Sequence, residues 1–382
     1  MLFLKKYYRF FSGIFFVTNL FCFSNSDRRI SELEKQMLEI GGYNPAGTFG
    51  AHFGNASLGN SDWEVGVDLL LWQTQVGGTE YAYSVNHIQP LGTGFPLKGK
   101  ISQMTFDWNF GFRIGGGKQN LVKGSDLFLT YTYYKTSASD GYHKELPSGF
   151  LGLTGFLDPA IVAKSDYHLN YQNIDVEFGR SYYVSRQVLV KSNIGLKFSR
   201  ISQKQTSHYG FDVQSEDLVS FSSNLKDQNL FLGIGPRIGF CSRWYLGREV
   251  SLYNKIGAAL LYGYFQVKDH YDADEKKILN QQMIKSLSEI NLIGSAHRFS
   301  PFTEMLIGAS WNRSYLKDKV ILTISVSYET LYFWREAQKL VAEGVIKTDS
   351  SSNLISSSRV LFERQAEDLG FRGLSLKVEV DF

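Results

Sequence analysis

From Trp63 onward the chain alternates between apolar and polar residues with a period of two. Trp63, Val65, Val67, Leu69 and Leu71 interleave with Glu64, Gly66 and Asp68, and Phe106, Trp108, Phe110, Phe112 and Ile114 interleave with Asp107, Asn109, Gly111 and Arg113. Such a segment puts its apolar side chains on one face of a strand and its polar ones on the other. The pattern recurs at Leu127–Tyr133, Ile174–Phe178, Ile194–Phe198, Leu230–Phe240, Ile256–Tyr264, Met305–Trp311, Val320–Tyr328 and Leu374–Phe382. With weaker repeats at Tyr81–Val85 and Tyr209–Val213, it predicts about twelve strands, within a range of 10 to 16.

A soluble sandwich would alternate as well, but three features point elsewhere. Many strands run about ten residues, the length that crosses a bilayer at a tilt and longer than the ~5–6 usual in soluble sheets. Aromatic residues (Trp63, Trp72, Tyr131, Tyr133, Tyr262, Tyr264, Trp311, Tyr328) cluster near the ends of the apolar stretches, where amphipathic rings favour the headgroup level. The polar faces carry charge and glycine, which suits a wet or crowded interior and not a dry core. In lipid every backbone N–H and C=O must be paired within the protein, so the sheet has to close. The predicted fold class is all-β, a transmembrane antiparallel β-barrel over residues 63–382.

Composition narrows this further. Charged residues make up 20% of the chain and hydrophobic ones 43%, which is not the composition of a disordered coil. After the N-terminus no apolar run reaches the ~20 residues of a membrane helix.

Residues 1–24 read as a secretory signal: Lys5, Lys6 and Arg9 precede the apolar stretch Phe10–Phe23, and small residues follow at Ser24 and Ser26. Cleavage there leaves 37 basic residues against 37 acidic ones. A neutral chain without a basic face argues against a nucleic-acid partner. It would also retain a single cysteine, Cys241, so an internal disulfide is excluded, leaving a free thiol or a bridge to another chain.

Ile30, Leu33, Met37 and Ile40 fall on one stripe of a short amphipathic helix, predicted within 25–42 on the periplasmic side. At a dozen residues it needs a partner, either the body of the protein or its own copies in a homo-oligomer. The Gly/Asn/Ser-rich segment 43–62 is a linker or a plug for the lumen.

The C-terminal strand is the most specific single feature. Leu374, Leu376, Val378, Val380 and Phe382 alternate with Ser375, Lys377, Glu379 and Asp381 and end on a terminal phenylalanine. This resembles the signal by which the barrel assembly machinery of Gram-negative bacteria recognises its clients. Three segments then resemble the pore-forming major outer membrane protein family of Legionella, also found in chlamydia-like bacteria. They are Val67–Gln73, the aromatic run Asp107–Arg113 leading into Gly115, and Asp368–Leu374 through Val380–Phe382. Tyr328-Glu329 followed by Tyr332-Phe333-Trp334 is similar to that family's penultimate-strand region. The resemblance implies a pore in the outer membrane, in contact with lipid and lipopolysaccharide, and carries no catalytic residue with it. The long segments Ser137–Asp166 and Lys268–Ala296 match nothing and are expected to be loops.

No catalytic, cofactor or metal motif emerges, and an enzyme is not expected. The seven histidines lack metal-ligand spacing, and Ser207-His208 and Ser295–His297 have no third orienting group within a clear strand phase. Asp269, Asp272, Asp274 and Glu275 lack the glycine and terminal glutamate of a Ca²⁺ loop and read as solvated extracellular residues. Gly115-Gly116-Gly117-Lys118 precedes no helix and reads as a hairpin turn.

Function is expected on the polar face. The candidate pore-lining residues are Asp68, Asp107, Arg113, Asp126, Asp175, Glu177, Lys191, Lys197, Arg237, Lys255, Glu329 and Lys377. Mixed charges around a constriction favour small hydrophilic solutes over apolar ones. The leading expectation is therefore a porin passing ions and small solutes. One alternative is a closed or narrow surface barrel acting as an adhesin or envelope component through its loops. Another is carbohydrate-selective uptake over inward aromatics such as Phe128, Phe231, Tyr253 and Phe265.

Overall fold

The computed structural model describes residues 63–85, 99–122, 125–148, 160–185, 187–212, 218–246, 249–279, 282–315, 320–348 and 355–382. The expected signal peptide, the helix at 25–42 and the segment 43–62 lie outside these residues. Among the described residues there are twelve strands: β1 (Trp63–Val76), β2 (Glu80–Val85), β3 (Gly99–Gln103), β4 (Trp108–Val122), β5 (Ser125–Ser148), β6 (Ala160–Ser185), β7 (Val188–Asp212), β8 (Leu218–Tyr245), β9 (Val250–Leu279), β10 (Gln282–Tyr315), β11 (Val320–Thr348) and β12 (Ile355–Asp381).

Ten of them, β1 and β4 to β12, close an antiparallel barrel in sequence order, and β2 pairs only with β3. The barrel therefore has ten strands, two fewer than the expected twelve and at the low end of the expected range of 10 to 16. Tyr81–Val85 is a strand outside the barrel wall, and Tyr209 belongs to the far end of β7. The first and last strands form the seam, with Glu64 opposite Asp381 and Val76 opposite Leu369. Trp63 and Phe382 finish it by exchanging backbone hydrogen bonds of 2.9 and 3.0 Å.

The outer wall is apolar where the sequence alternates. Val67, Leu69, Phe110, Leu129, Ile194, Ile238, Ile307, Val326 and Leu376 all stand exposed on it. In water this would be untenable, whereas in lipid it is the favourable arrangement. The nine residues Trp63–Leu71, at ~3.3 Å each and a tilt near 40°, give a band about 23 Å tall, close to the apolar height of outer-membrane barrels. The exposed aromatics Trp63, Trp108, Trp244, Tyr262, Tyr315 and Tyr328 sit along it. Of the rings expected there, Trp72 is a correction. It falls in the opposite phase to Trp63 and Leu71, points inward and is fully buried.

Strands continue well past the band. β10 has 34 residues, enough at the same tilt to rise roughly 85 Å. On β7 the outward residues change from Ile194, Leu196 and Phe198 to Arg200, Lys204 and His208, so the upper barrel stands in water. Much of what reads as loop in the sequence is therefore strand. Residues 137–148 continue β5 and 160–166 begin β6, while 268–279 belong to β9 and 282–296 to β10, paired residue for residue. Asp269, Asp272, Asp274 and Glu275 accordingly lie on β9, with Asp269 facing inward and buried. Gly115–Lys118 is likewise no turn but part of β4, paired to β1 and β5.

The connections from β4 to β5, β6 to β7, β8 to β9 and β10 to β11 take at most four residues each and lie at the end where β1 begins and β12 finishes. Short turns mark the periplasmic end of such barrels, so the tall end is extracellular. Ten strands at ~4.8 Å spacing and this tilt give a backbone radius of roughly 10 Å. Side chains from opposite walls must then meet, and they do.

Candidate functional site in the barrel lumen

Inside the membrane band the inward positions carry an ion-pair network. Arg113 on β4 donates to Asp68 on β1 at 2.9 Å and to Glu329 on β11 at 3.0 Å, and Glu329 also accepts the Trp72 indole N–H at 3.0 Å. Arg237 on β8, only 1% exposed, is held between Glu177 on β6 and Glu304 on β10, with Asp175 3.7 Å away. Lys255 bridges Glu177 and Glu304 at 3.0 and 3.6 Å. Lys197 pairs with Asp175 at 3.2 Å and lies 4.1 Å above the Phe302 ring, while Lys191 pairs with Asp126 at 2.8 Å and lies over Phe128. Lys377, near the periplasmic rim, binds Glu379 and stands 3.9 Å from Glu64.

Burying these charges in a dry core would be costly, and their close pairing offsets part of that cost. The network surrounds a chamber of about 220 Å³ bounded by Asp68, Arg113, Asp175, Lys197, Lys255, Glu304 and Glu329, among others. That volume corresponds to several waters.

Directly above, rings close the lumen. Trp72, Tyr134, Tyr171, Phe231, Phe265, Phe302, Phe333 and Phe371 come from eight of the ten strands, and each is at most 1% exposed. Tyr171 on β6 stacks on Phe371 on β12 at 5.1 Å and meets Phe333 on β11 edge-on at 5.8 Å. In the strand order β6 and β11 lie diametrically opposite, so this contact spans the lumen. Phe371 also touches Trp72 at 5.6 Å and Tyr134 at 5.5 Å, and Phe302 packs on Phe333 at 4.6 Å. Phe231 and Phe265 pack tilted at 4.6 Å, and the Phe231 ring occupies the space that a Cβ at the paired Gly233 and Gly263 would need. Only glycine on both strands lets that ring lie flat to the wall.

Above the rings, outside the membrane band, a polar layer follows. β11 breaks register between Phe333 and Ala337, with Arg335 at φ 55°, a left-handed conformation uncommon for a non-glycine residue. Asp368 holds this bulge by accepting from the Arg335 N–H at 2.8 Å and the Tyr332 hydroxyl at 2.6 Å. The bulge turns Glu336 into the lumen, where Gln203 donates to its carboxylate and Asn229 donates to its backbone carbonyl at 2.7 Å. Complete burial pushes the Glu336 carboxyl up to about 8, with only the Gln203 bond opposing it. Asp227 and Asp269 face each other across β8 and β9, and burial raises both carboxyls. Higher still, Tyr209 donates to the Tyr81 carbonyl at 2.7 Å, and Phe106 meets Tyr167 edge-on at 5.2 Å, tying the β2–β3 region to the wall.

Eleven of the twelve residues singled out from the sequence thus lie on the inward face, in neighbouring ion-pair groups. Asp107 does not. It precedes β4, stands exposed and lends only its backbone carbonyl to Asn109, while its neighbour Phe106 is buried. The irregular residues between β3 and β4 invert the phase there. Sequence reasoning passed over Glu304, Arg243 and Glu336. Glu304 was within reach, because it precedes the outward Met305–Ile307–Ala309 series by one position. Glu336 was not, since a bulge sets its orientation. Cys241 is free and faces the chamber, and Ser207 and His208 point to opposite faces, the first bonded to Ser165 and the second to Asn224.

A barrel with this seam and this C-terminal strand can be placed by comparison. The model of the Legionella pneumophila major outer membrane protein precursor matches residues 57–382. The chain belongs to the Legionella major outer membrane protein family. This family member is a bacterial outer-membrane β-barrel. No curated protein matches it. Among solved structures it is similar to the outer membrane protease OmpT of Escherichia coli, at 8% identity and a TM-score of 0.38, covering 84% of this chain and 97% of that one. It is also similar to the Pseudomonas putida toluene transporter TodX, at 9% identity and a TM-score of 0.31, covering 87% and 95%. Overlaps this loose carry neither proteolysis nor hydrocarbon transport to the family member.

Proposed function

We propose that this outer-membrane barrel is a narrow, gated channel for ions and small hydrophilic solutes, closed at the aromatic layer in the state described. The observation behind this reading is the stacking of two unlike layers, a charged chamber with room for several waters directly beneath a ring cluster that spans the lumen. Side chains of mixed sign select by charge, and apolar constrictions gate by excluding water. Conduction then requires Tyr171, Phe333 and Phe371 to part. The inward aromatics do not favour sugar uptake, because Phe231 and Phe265 are spent on each other and Phe128 lies under Lys191. The protein is read as a non-enzyme that contacts lipid and lipopolysaccharide along its apolar band and enters the membrane through its C-terminal strand.

A second reading, a closed surface barrel working as an adhesin or envelope component, is favoured by the height of β9, β10 and β11 above the band. Planar-bilayer recording of the refolded chain from residue 25 separates the two. The channel reading expects brief, small openings insensitive to added sugar. Large, long-lived steps would refute the aromatic closure, and silence in both the native chain and a ring-truncated variant would favour the surface reading.

A further inference from the structure

At the periplasmic rim of the seam, Glu64 on β1 and Glu379 and Asp381 on β12 each bring a carboxylate oxygen within 4.8 Å of the others. The register forces this meeting, since Glu64 pairs with Asp381 and Gly66 with Glu379 across the two strands that close the barrel. Glu379 and Asp381 are each 6% exposed. The Asp381 Oδ1 atom is buried without a hydrogen-bond partner, although its neighbours have theirs: Gln119 donates to Glu64 at 3.2 Å and Lys377 donates to Glu379. A buried carboxylate oxygen with no donor, beside two further carboxylates, is an unsatisfied acceptor of the kind that a bound cation satisfies. Lys377 is the cation nearest the three carboxylates, its nitrogen 3.9 Å from the Glu64 oxygen, with Arg243 on β8 and Lys191 on β7 also acting on Asp381.

We propose that this cluster binds one divalent cation, Ca²⁺ in preference to Mg²⁺, and that the ion clasps the barrel seam. The donors are all hard carboxylate oxygens, which suit Ca²⁺ and Mg²⁺ and not a thiolate- or imidazole-seeking metal. Oxygens ~2.4 Å from a common Ca²⁺ can stand up to about 4.8 Å apart, whereas Mg²⁺, at ~2.1 Å, demands a tighter set in strict octahedral array. Glu64 also borders the charged chamber, so waters there can complete the coordination. The ion links the second residue of the first barrel strand to the end of the last, adding to the ladder and the Trp63–Phe382 bonds that hold this end of the closure.

The test is Ca²⁺ titration by calorimetry, with Tb³⁺ luminescence as a second readout, on the chain from residue 25 refolded in lipopolysaccharide-free zwitterionic detergent at fixed ionic strength. The expected result is saturable binding of one Ca²⁺ per chain, weaker for Mg²⁺, with a raised thermal midpoint. Asp381→Asn and Glu64→Gln each weaken binding about tenfold or more, because they remove a charged ligand. Lys377→Met tightens it about tenfold, because it removes the competing charge. Should Asp381→Asn fail to refold next to the terminal Phe382, Glu379→Gln and Lys377→Met carry the same comparison. Absence of saturable binding by the native chain would overturn the proposal, as would affinity indifferent to Glu64→Gln and Lys377→Met.

Discussion

Phe371→Ala is the substitution that the closed lumen makes most informative. The side chain is 1% exposed and touches Trp72, Tyr134, Tyr171 and Phe333 at ring-centroid distances of 5.6, 5.5, 5.1 and 6.5 Å. Removing a buried phenylalanine costs about 3–5 kcal/mol through lost transfer energy and the cavity left behind. Here the cost falls mainly on the closed arrangement, because four of its ring contacts run through this residue. A loss of about 4 kcal/mol from the closed state shifts the closed-to-open ratio by roughly three powers of ten, at 1.4 kcal/mol per decade. Two assays read it. Urea unfolding of the refolded protein should show a loss of about 3–5 kcal/mol, and bilayer recording should turn rare openings into near-continuous conductance. A loss under about 1 kcal/mol together with unchanged current would show that the rings neither pack tightly nor close the path.

Arg237→Met keeps the stem but leaves Asp175, Glu177 and Glu304 facing one another, so it should cost about 3–5 kcal/mol in urea unfolding. Glu336 supplies a pH dependence. Its carboxyl stands at about 8 in the folded barrel against 4.5 in a free chain, so its contribution to stability is complete below ~4.5 and is lost as pH rises through 8. Glu336→Gln should flatten the fall of the urea midpoint between pH 5 and 9 and leave the variant firmer than the native protein at pH 9. In the open Phe371→Ala variant, reversal potentials under a salt gradient should show weak cation preference. Around the chamber and rim Glu64, Asp68, Asp126, Asp175, Glu177, Glu304, Glu329, Glu379 and Asp381 outnumber Arg113, Lys191, Lys197, Arg237, Arg243, Lys255 and Lys377. Anion preference would contradict this arrangement.

The membrane half of the fold was legible because lipid outside and charge inside impose the same period of two on every strand, and because Leu374 to Phe382 carry the phase to the last residue. Alternation fixes which side chains point inward, and so it located Asp68, Arg113, Asp175, Lys197 and Arg237. It does not say that ten strands make a lumen narrow enough to fill. The sequence was least informative where the outer face turns polar. At Lys268–Ala296 both faces carry polar residues, so the period fades and a long strand reads as a loop. Trp72 was misplaced because a tryptophan near a strand end suits a membrane belt as well as a lumen. Only its phase, one residue from Leu71, separates the two. The bulge at 334–336 leaves no periodic trace, and it is what turns Glu336 inward.

The central claim is that the ring layer separates the extracellular side from the charged chamber, and the protein carries its own reporter for it. Cys241 is the only cysteine after Cys22, and it faces the chamber beneath the rings. In proteoliposomes with the tall end outward, a charged, membrane-impermeant thiol reagent added outside should leave Cys241 of the native chain unmodified, yet label Phe371→Ala rapidly. Rapid labelling of the native chain from outside would mean that the lumen is open and the aromatic closure is wrong.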